Sequence, residues 1–164
     1  MTPLGHLAVS YSAGKPLSRP LRVSLPHLVL GGVAPDIDFL LLPFSSFNTL
    51  HRSLTHNLFF VVATALLFAL WRSASASVFF SALLGGCGHL LIDSLFDSNP
   101  SNGVGVALLW PLSQGFFSPF NLTPGVCPSW SELLAAARCN ASLIFWEVPF
   151  YLSALLLRFA SRSS

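Results

Sequence analysis

A histidine and a carboxylate stand where hydrocarbon contact would be expected. Between Ser77 and Phe96 the chain carries no Lys, Arg or Glu and is mostly apolar or small, and the run is about as long as the ~20 residues a membrane helix needs. His89 and Asp93 lie inside it, four residues apart. In a helix that spacing puts them on one face, one turn above the other. An ionised Asp in hydrocarbon costs at least ~2.5–3.5 kcal/mol on insertion scales, so a partner has to offset it. A metal ion would use both groups, because imidazole nitrogen and carboxylate oxygen both ligate zinc or manganese. A simple Asp–His hydrogen bond locking two helices would use them too. On this stretch alone the two readings weigh equally.

Further candidate ligands lie up- and downstream. Pro35-Asp36-Ile37-Asp38 places two carboxylates in an apolar run. In the first turn of a helix they would suit the positive end of the macrodipole. Residues two apart point ~200° apart on a regular helix, so one ligand plus one partner that holds a ligand is expected there. His51-Arg52-Ser53-Leu54-Thr55-His56 offers two histidines at the mouth of an apolar helix. His51, lying in the loop, can turn back towards His56. Asp97 extends the His89/Asp93 stripe by a turn, but precedes the turn signal Asn99–Gly103 and reads equally as a capping Asp. With His6, the set takes in all four aspartates and all but one of the five histidines. His27, beside Pro26, reads as structural. A His/Asp set without Cys fits catalytic zinc or manganese better than structural zinc. It exceeds the needs of one ion. Two ions bridged by a carboxylate such as Asp93 can generate hydroxide at neutral pH and clamp the oxygens of an in-line phosphoryl displacement. There is no GxSxG elbow, which makes covalent catalysis the weaker choice.

These residues need elements to position them, and the composition says of what kind. Residues 1–164 are expected to form one domain. The chain is 53% apolar and 9% charged, with a mean hydropathy of +0.69, where soluble domains carry ~25% charged residues. The expected fold is an all-α, polytopic membrane bundle of about four segments, with the metal site near the interface. A net charge of +2 is too small to argue for nucleic acid. Cys87, Cys127 and Cys139 show no CxxC pairing, against a disulfide scaffold or a cysteine zinc site. No basic residue precedes the first apolar run at Leu7–Val9, so no signal peptide is expected.

Along the chain, Met1–Leu25 reads as mixed, with Lys15, Arg19 and Arg22 in a Pro-broken juxtamembrane connection. Leu28–Pro43 should break at Gly31–Ala34 and restart at Pro35. Leu58–Trp71 reads as a helix with Ser53 as its cap. Gly85, Gly86 and Gly88 leave one side of the next helix bare for a close neighbour. Val104–Pro128 reads as an interfacial, re-entrant stretch with aromatic anchors. Ser131–Ala137 reads as a short surface helix, and Ala141–Ala160, with Glu147 and Pro149 inside it, as the last membrane helix. Glu147 is expected to be protonated, to pair with a histidine, or to join the site. Basic residues on both sides of several segments leave the orientation open.

Gly32-Val33-Ala34-Pro35-Asp36-Ile37-Asp38, His51-Arg52-Ser53-Leu54-Thr55-His56, Gly88-His89-Leu90-Leu91-Ile92-Asp93 and Leu109-Trp110-Pro111-Leu112, together with His6, resemble the YdjM-type family of membrane-bound, metal-dependent hydrolases. The resemblance runs from His6 to about Leu112. Ser53 stands where the family usually has Gly, and Asn57 where Ser commonly follows the second histidine; neither removes a candidate ligand. That family is in turn similar to zinc-dependent phospholipases C and related single-strand nucleases, all-helical enzymes with clustered zinc held by His and Asp. By that resemblance His89 and Asp93 match a His-x-x-x-Asp helix pair, His51 a further His ligand, Asp36 or Asp38 an Asp ligand and His6 an N-terminal His ligand.

The resulting expectation is a membrane-embedded, metal-dependent hydrolase with a zinc or manganese pair held by His6, Asp36, Asp38, His51, His89 and Asp93. It would act on a phosphoester of a lipid or lipid-linked substrate. His56 or Asp97 would orient ligands or shuttle protons. Arg52 would bind the phosphate or, equally, anchor to headgroups. The expected location is a cell membrane, multi-pass, the inner one in a Gram-negative bacterium, in contact with membrane lipids and without nucleic acid. The alternative is a non-catalytic membrane partner or regulatory protein with a structural polar or metal cluster; a transporter ranks last.

Overall fold

Caps and apolar runs mark out the helices, and they are described by a computed structural model for residues 1–44, 47–96, 104–120, 122 and 133–160. Helix α1 spans Pro3–Leu17, with Thr2 as N-cap accepting from the Gly5 N–H at 3.1 Å and Pro3 in the first turn. Pro suits that place because its missing N–H would have no helical partner there. The stretch expected to be a mixed connection is therefore helical through Lys15 and Pro16. Helix α2 (Leu25–Val33) passes without interruption through Gly31 and Gly32 and gives way at Ala34 to a 3-10 helix, Ala34–Leu41. The expected change of backbone falls at the expected place, but as a tightening of the helix rather than a break.

A short helix α3 (Phe47–Leu50) leads into the irregular segment 51–57. Helix α4 (Leu58–Trp71) is capped by Asn57, whose Oδ1 accepts from the Phe60 N–H at 2.8 Å. Asn57 also donates to the Ser53 and Leu54 carbonyls. Ser53, the expected cap, instead closes a turn on Leu50. The difference is physical: a cap must immediately precede the first helical turn to reach its free N–H groups. Helix α5 (Ala76–Phe96) is the long apolar helix. Helix α6 (Leu133–Ala160) is continuous over 28 residues, so residues 133–137 of the expected surface helix belong to it, while residues 131 and 132 lie outside the described residues.

Helix α5 is the axis of the packing. Helices α2 and α4 both lie against it, and α1 packs between α2 and α6. Two glycines make the α2–α5 contact possible: a Cβ on Gly31 would lie 2.2 Å from the Ala82 carbonyl oxygen, and one on Gly85 would lie 2.0 Å from that of Leu28. Gly86 admits Val61 of α4, while Gly88 faces open space. The bare side expected of α5 is thus occupied by backbone on one edge and by a valine on the other. Val61 and Leu90 form a small core with Val106. Val106 comes from residues 104–120, which fold back over the start of α4: Leu58 donates to the Leu108 carbonyl, and Ala107 to that of Arg52. Val106 also pairs with Phe117 in an isolated antiparallel bridge.

Among the described residues all regular elements are helical, as expected, but the expected number of membrane segments is not found. One helix, α5, is long and apolar enough to cross a bilayer, and half of its most apolar window is buried inside the protein. Helices α1, α2 and α4 have 15, 9 and 14 residues, short of the ~20 a crossing needs. Four crossings, and with them a multi-pass arrangement, are therefore corrected to one candidate. Hydropathy alone counts an apolar run as a crossing even where the fold folds it into a shorter piece.

Candidate metal centre

Four separate pieces of chain, α5 among them, meet at one point. His6 comes from α1, Asp36 and Asp38 from the 3-10 helix, His51, Arg52, Thr55 and His56 from the 51–57 segment, and His89 and Asp93 from α5. All of these side chains are buried, His56 completely. The 3-10 backbone is what lets both acids in. A step of ~120° per residue separates Asp36 from Asp38 differently from a regular α-helix, and both face inward while Ile37 is exposed. The two acids differ in what they face: Asp36 faces His89 and His56, each at 3.8 Å, whereas Asp38 accepts from His51 Nδ1 at 2.9 Å and from the Thr55 hydroxyl at 2.8 Å.

Asp93 is ringed by cationic and histidine groups. Its Oδ1 lies 3.0 Å from His6 Nε2 and 3.0 Å from the Met1 amino group; its Oδ2 lies 3.1 Å from Arg52, 3.3 Å from His56 Nε2 and 3.4 Å from His89 Nε2. The His6 ring stacks on that of His89 at 3.7 Å between centroids. The His51 ring stacks on Phe47.

Hydrogen-bond logic fixes which nitrogen of each central ring is free. His89 Nδ1 lies 2.8 Å from the Gly32 carbonyl, which can only accept, so Nδ1 carries the proton. Thr55 gives its single hydroxyl proton to Asp38, so its 3.0 Å contact with His56 Nδ1 requires that nitrogen to donate. Both rings therefore turn their Nε2 atoms towards carboxylates. Those two nitrogens, with Asp36 Oδ2 and Asp38 Oδ1, are buried and have no hydrogen-bond partner. Buried polar atoms are normally satisfied. Imidazole nitrogens and carboxylate oxygens gathered in one buried cluster fit a cation among them, and a metal-ligating His characteristically ties its other ring nitrogen to a carbonyl or carboxylate.

Three buried sets could hold an ion: His6, Asp36 and His89; Asp38, His51 and His56; and His56, His89 and Asp93. Because His89 and His56 each have one free nitrogen, only the first two sets can be filled together. Asp93, with one oxygen towards His6 and the other towards His56, faces both.

Burial and charge set the protonation of the surrounding groups. Desolvation, reinforced by His89, lowers His6 to about 4. Desolvation outweighs the Asp38 contact and lowers His51 to about 4. Both rings are neutral at pH 7, as ligands must be. For His56 desolvation acts the same way, but Asp36, Asp38 and Asp93 overcome it and push the ring up to about 10. Burial would raise the carboxyls of Asp36 and Asp38, yet the neighbouring histidines outweigh it and hold both below the ordinary value.

Every candidate among the described residues is thus at the centre; Asp97 lies outside the described residues. Arg52 is buried against Asp93, and His56 lies among Asp36, Asp38 and Asp93. Thr55 and the Gly32 carbonyl were not foreseen, although Thr55 directly precedes His56 and its hydroxyl could have been counted. Glu147 does not reach the cluster. It accepts from the Thr2 N–H and hydroxyl, each at 2.6 Å, and from the Tyr151 hydroxyl. His27 bonds Ser24 in the first turn of α2, apart from the centre.

A family model described as YdjM inner membrane protein matches residues 1–163. The chain belongs to that family and is a membrane protein. No curated protein and no solved structure matches it.

Proposed function

We propose that this member of the YdjM inner membrane protein family is a metal-dependent hydrolase of phosphoesters. The observation that carries the reading is that His6, Asp36 and His89, and likewise Asp38, His51 and His56, are all buried with ligand atoms close enough together to hold an ion, while His56 Nε2 and His89 Nε2 have no hydrogen-bond partner. His6, Asp36 and His89 would hold one divalent ion, zinc or manganese, and His51 and His56, with Asp38 beside them, a second. Ions so held lower the pKa of water and neutralise charge on a phosphoryl group. The protein's own share is to hold that arrangement. Gly32 and Thr55 fix the ring orientations of His89 and His56, and Asp38 fixes His51. Arg52, at 3.1 Å from Asp93, offers a planar guanidinium that can turn from the carboxylate to a phosphoryl oxygen.

In this reading α5 crosses the bilayer. Asp93 and His89 lie three and seven residues from its last residue, Phe96, which at 1.5 Å per residue is about 5 and 10 Å along the axis. The centre then sits near one face of the membrane, where a polar headgroup can meet it. Exposed Phe145, Trp146, Leu152 and Leu156 on α6 suit contact with lipid.

The test is elemental analysis of detergent-purified protein beside His89→Ala and Asp93→Ala, followed by hydrolysis of a chromogenic phosphodiester. About two zinc or manganese ions per chain, lost in both variants together with hydrolysis, is the expected result. Protein purified without chelator that holds no metal would sink the reading. The burial of the whole cluster favours one second reading, a structural centre in a non-catalytic membrane partner. That reading predicts bound metal and stability lost with it, but no turnover.

A further inference from the structure

A cavity of about 690 Å³ opens against the outer edge of the centre. It lies between α2, the 3-10 helix and α4, and its wall is apolar but for two side chains, Asp36 and Thr64. Asp36 is shared: it lines this cavity, and it stands 3.8 Å from both His56 and His89. It is 6% exposed and its Oδ2 has no hydrogen-bond partner. At the other end the rim is made of Leu30, Leu40 and Leu67, which are 52%, 74% and 66% exposed. The cavity is thus a passage from an exposed apolar rim to a buried carboxylate at the centre.

We propose that this passage holds the hydrocarbon chain of an amphiphilic phosphoester, a lipid whose headgroup phosphate reaches the centre past Asp36. The proposal rests on the hydrolase reading for its polar end and deepens it by naming the substrate class. Three features select this occupant. The wall offers an apolar surface with one hydroxyl, so a soluble sugar or nucleotide phosphate would bury its polar atoms unpaired there. The volume is within the range of small-molecule sites. The exposed rim is apolar in a chain of a membrane protein family, where lipid chains are an abundant apolar ligand.

The experiment uses full-length protein in detergent with one equivalent of phosphatidic acid carrying a diazirine in one acyl chain. Crosslinks are mapped after irradiation by mass spectrometry. Labelling is expected at Leu40, Phe60 and Leu67. The bulky Thr64→Trp variant should cut it about tenfold by filling the passage, with metal content and far-UV spectrum unchanged. Label spread evenly over the exposed faces of α5 and α6, label unaffected by Thr64→Trp, or crosslinks from the rim to a second copy of the chain would each overturn the proposal. The readout needs no turnover. Focused label without hydrolysis of any phosphoester removes the hydrolase reading and leaves the passage; spread label with hydrolysis of a soluble ester does the reverse.

Discussion

His56 has three carboxylates around it, Asp36, Asp38 and Asp93, and its protonation decides the pH behaviour of the metal-free protein. Its ring is pushed up to about 10, above the unfolded value of about 6.5. Stability from that proton is fully present below pH ~6.5 and is lost as pH rises towards 10. His6 and His51, lowered to about 4, act oppositely: the unfolded chain takes protons that the native rings refuse, so stability falls as pH drops from ~6.5 towards 4. Metal-free protein should therefore melt at its highest temperature near pH 6.5. A metal ion must displace the His56 proton, so zinc-loaded protein should keep its melting temperature between pH 7 and 9. An identical alkaline decline with and without zinc would remove His56 from the ligand set. At this scale much was readable from the sequence, because a His or Asp in an apolar run demands a partner whatever the fold. What could not be read was which nitrogen is free, since that depends on the Gly32 carbonyl, 57 residues away from His89.

Elements position the centre through close backbone approach, and glycines permit it. A Cβ on Gly85 would meet the Leu28 carbonyl oxygen at 2.0 Å, a backbone atom that cannot rotate away. Gly85→Ala should therefore push α2 from α5, destabilise the fold by about 1–3 kcal/mol, and lower zinc affinity by moving Asp36 away from His89. Gly88→Ala is the control: nothing lies within 4 Å of its would-be Cβ, and Ala gains up to ~1 kcal/mol in helix propensity. Thermal melts and zinc titrations of the two variants should diverge in direction; equal behaviour would show that the α2–α5 contact yields freely. Asn57→Ala should cost about 1 kcal/mol as a lost cap and should loosen the 51–57 segment that carries both loop histidines. The helix carrying His89 and Asp93 was legible because a long charge-free run has few alternatives. The cap was not, because Ser53 and Asn57 are both good cap residues, and only the geometry of the first turn selects between them.

Across the whole molecule, the last helix returns to hold the first. Glu147 of α6 binds Thr2, 145 residues earlier, and Thr2 caps α1. No local spacing could announce that pairing, so the sequence left Glu147 with three possible roles, and it also overcounted membrane crossings because hydropathy cannot tell lipid contact from burial against a neighbouring helix. The pairing has a consequence for the centre. Gly5 leaves room for the Glu147 carboxyl, 2.7 Å from where its Cβ would be, and His6 follows directly. Glu147 thus fixes the start of α1 and, through it, the place of His6 over His89. Glu147→Ala removes the acceptor of the Thr2 N–H and hydroxyl and the Tyr151 hydroxyl. Losing hydrogen bonds of this kind should cost about 2–4 kcal/mol. Glu147→Gln keeps one acceptor oxygen but turns an amide donor towards donors, so it should fall between the wild type and the alanine variant. Zinc affinity should drop in the same order, although every candidate ligand is intact and the far-UV spectrum is unchanged. A metal content that ignores both substitutions, with melting temperature lowered as expected, would show that packing against α2 alone places His6 and that α6 serves stability only.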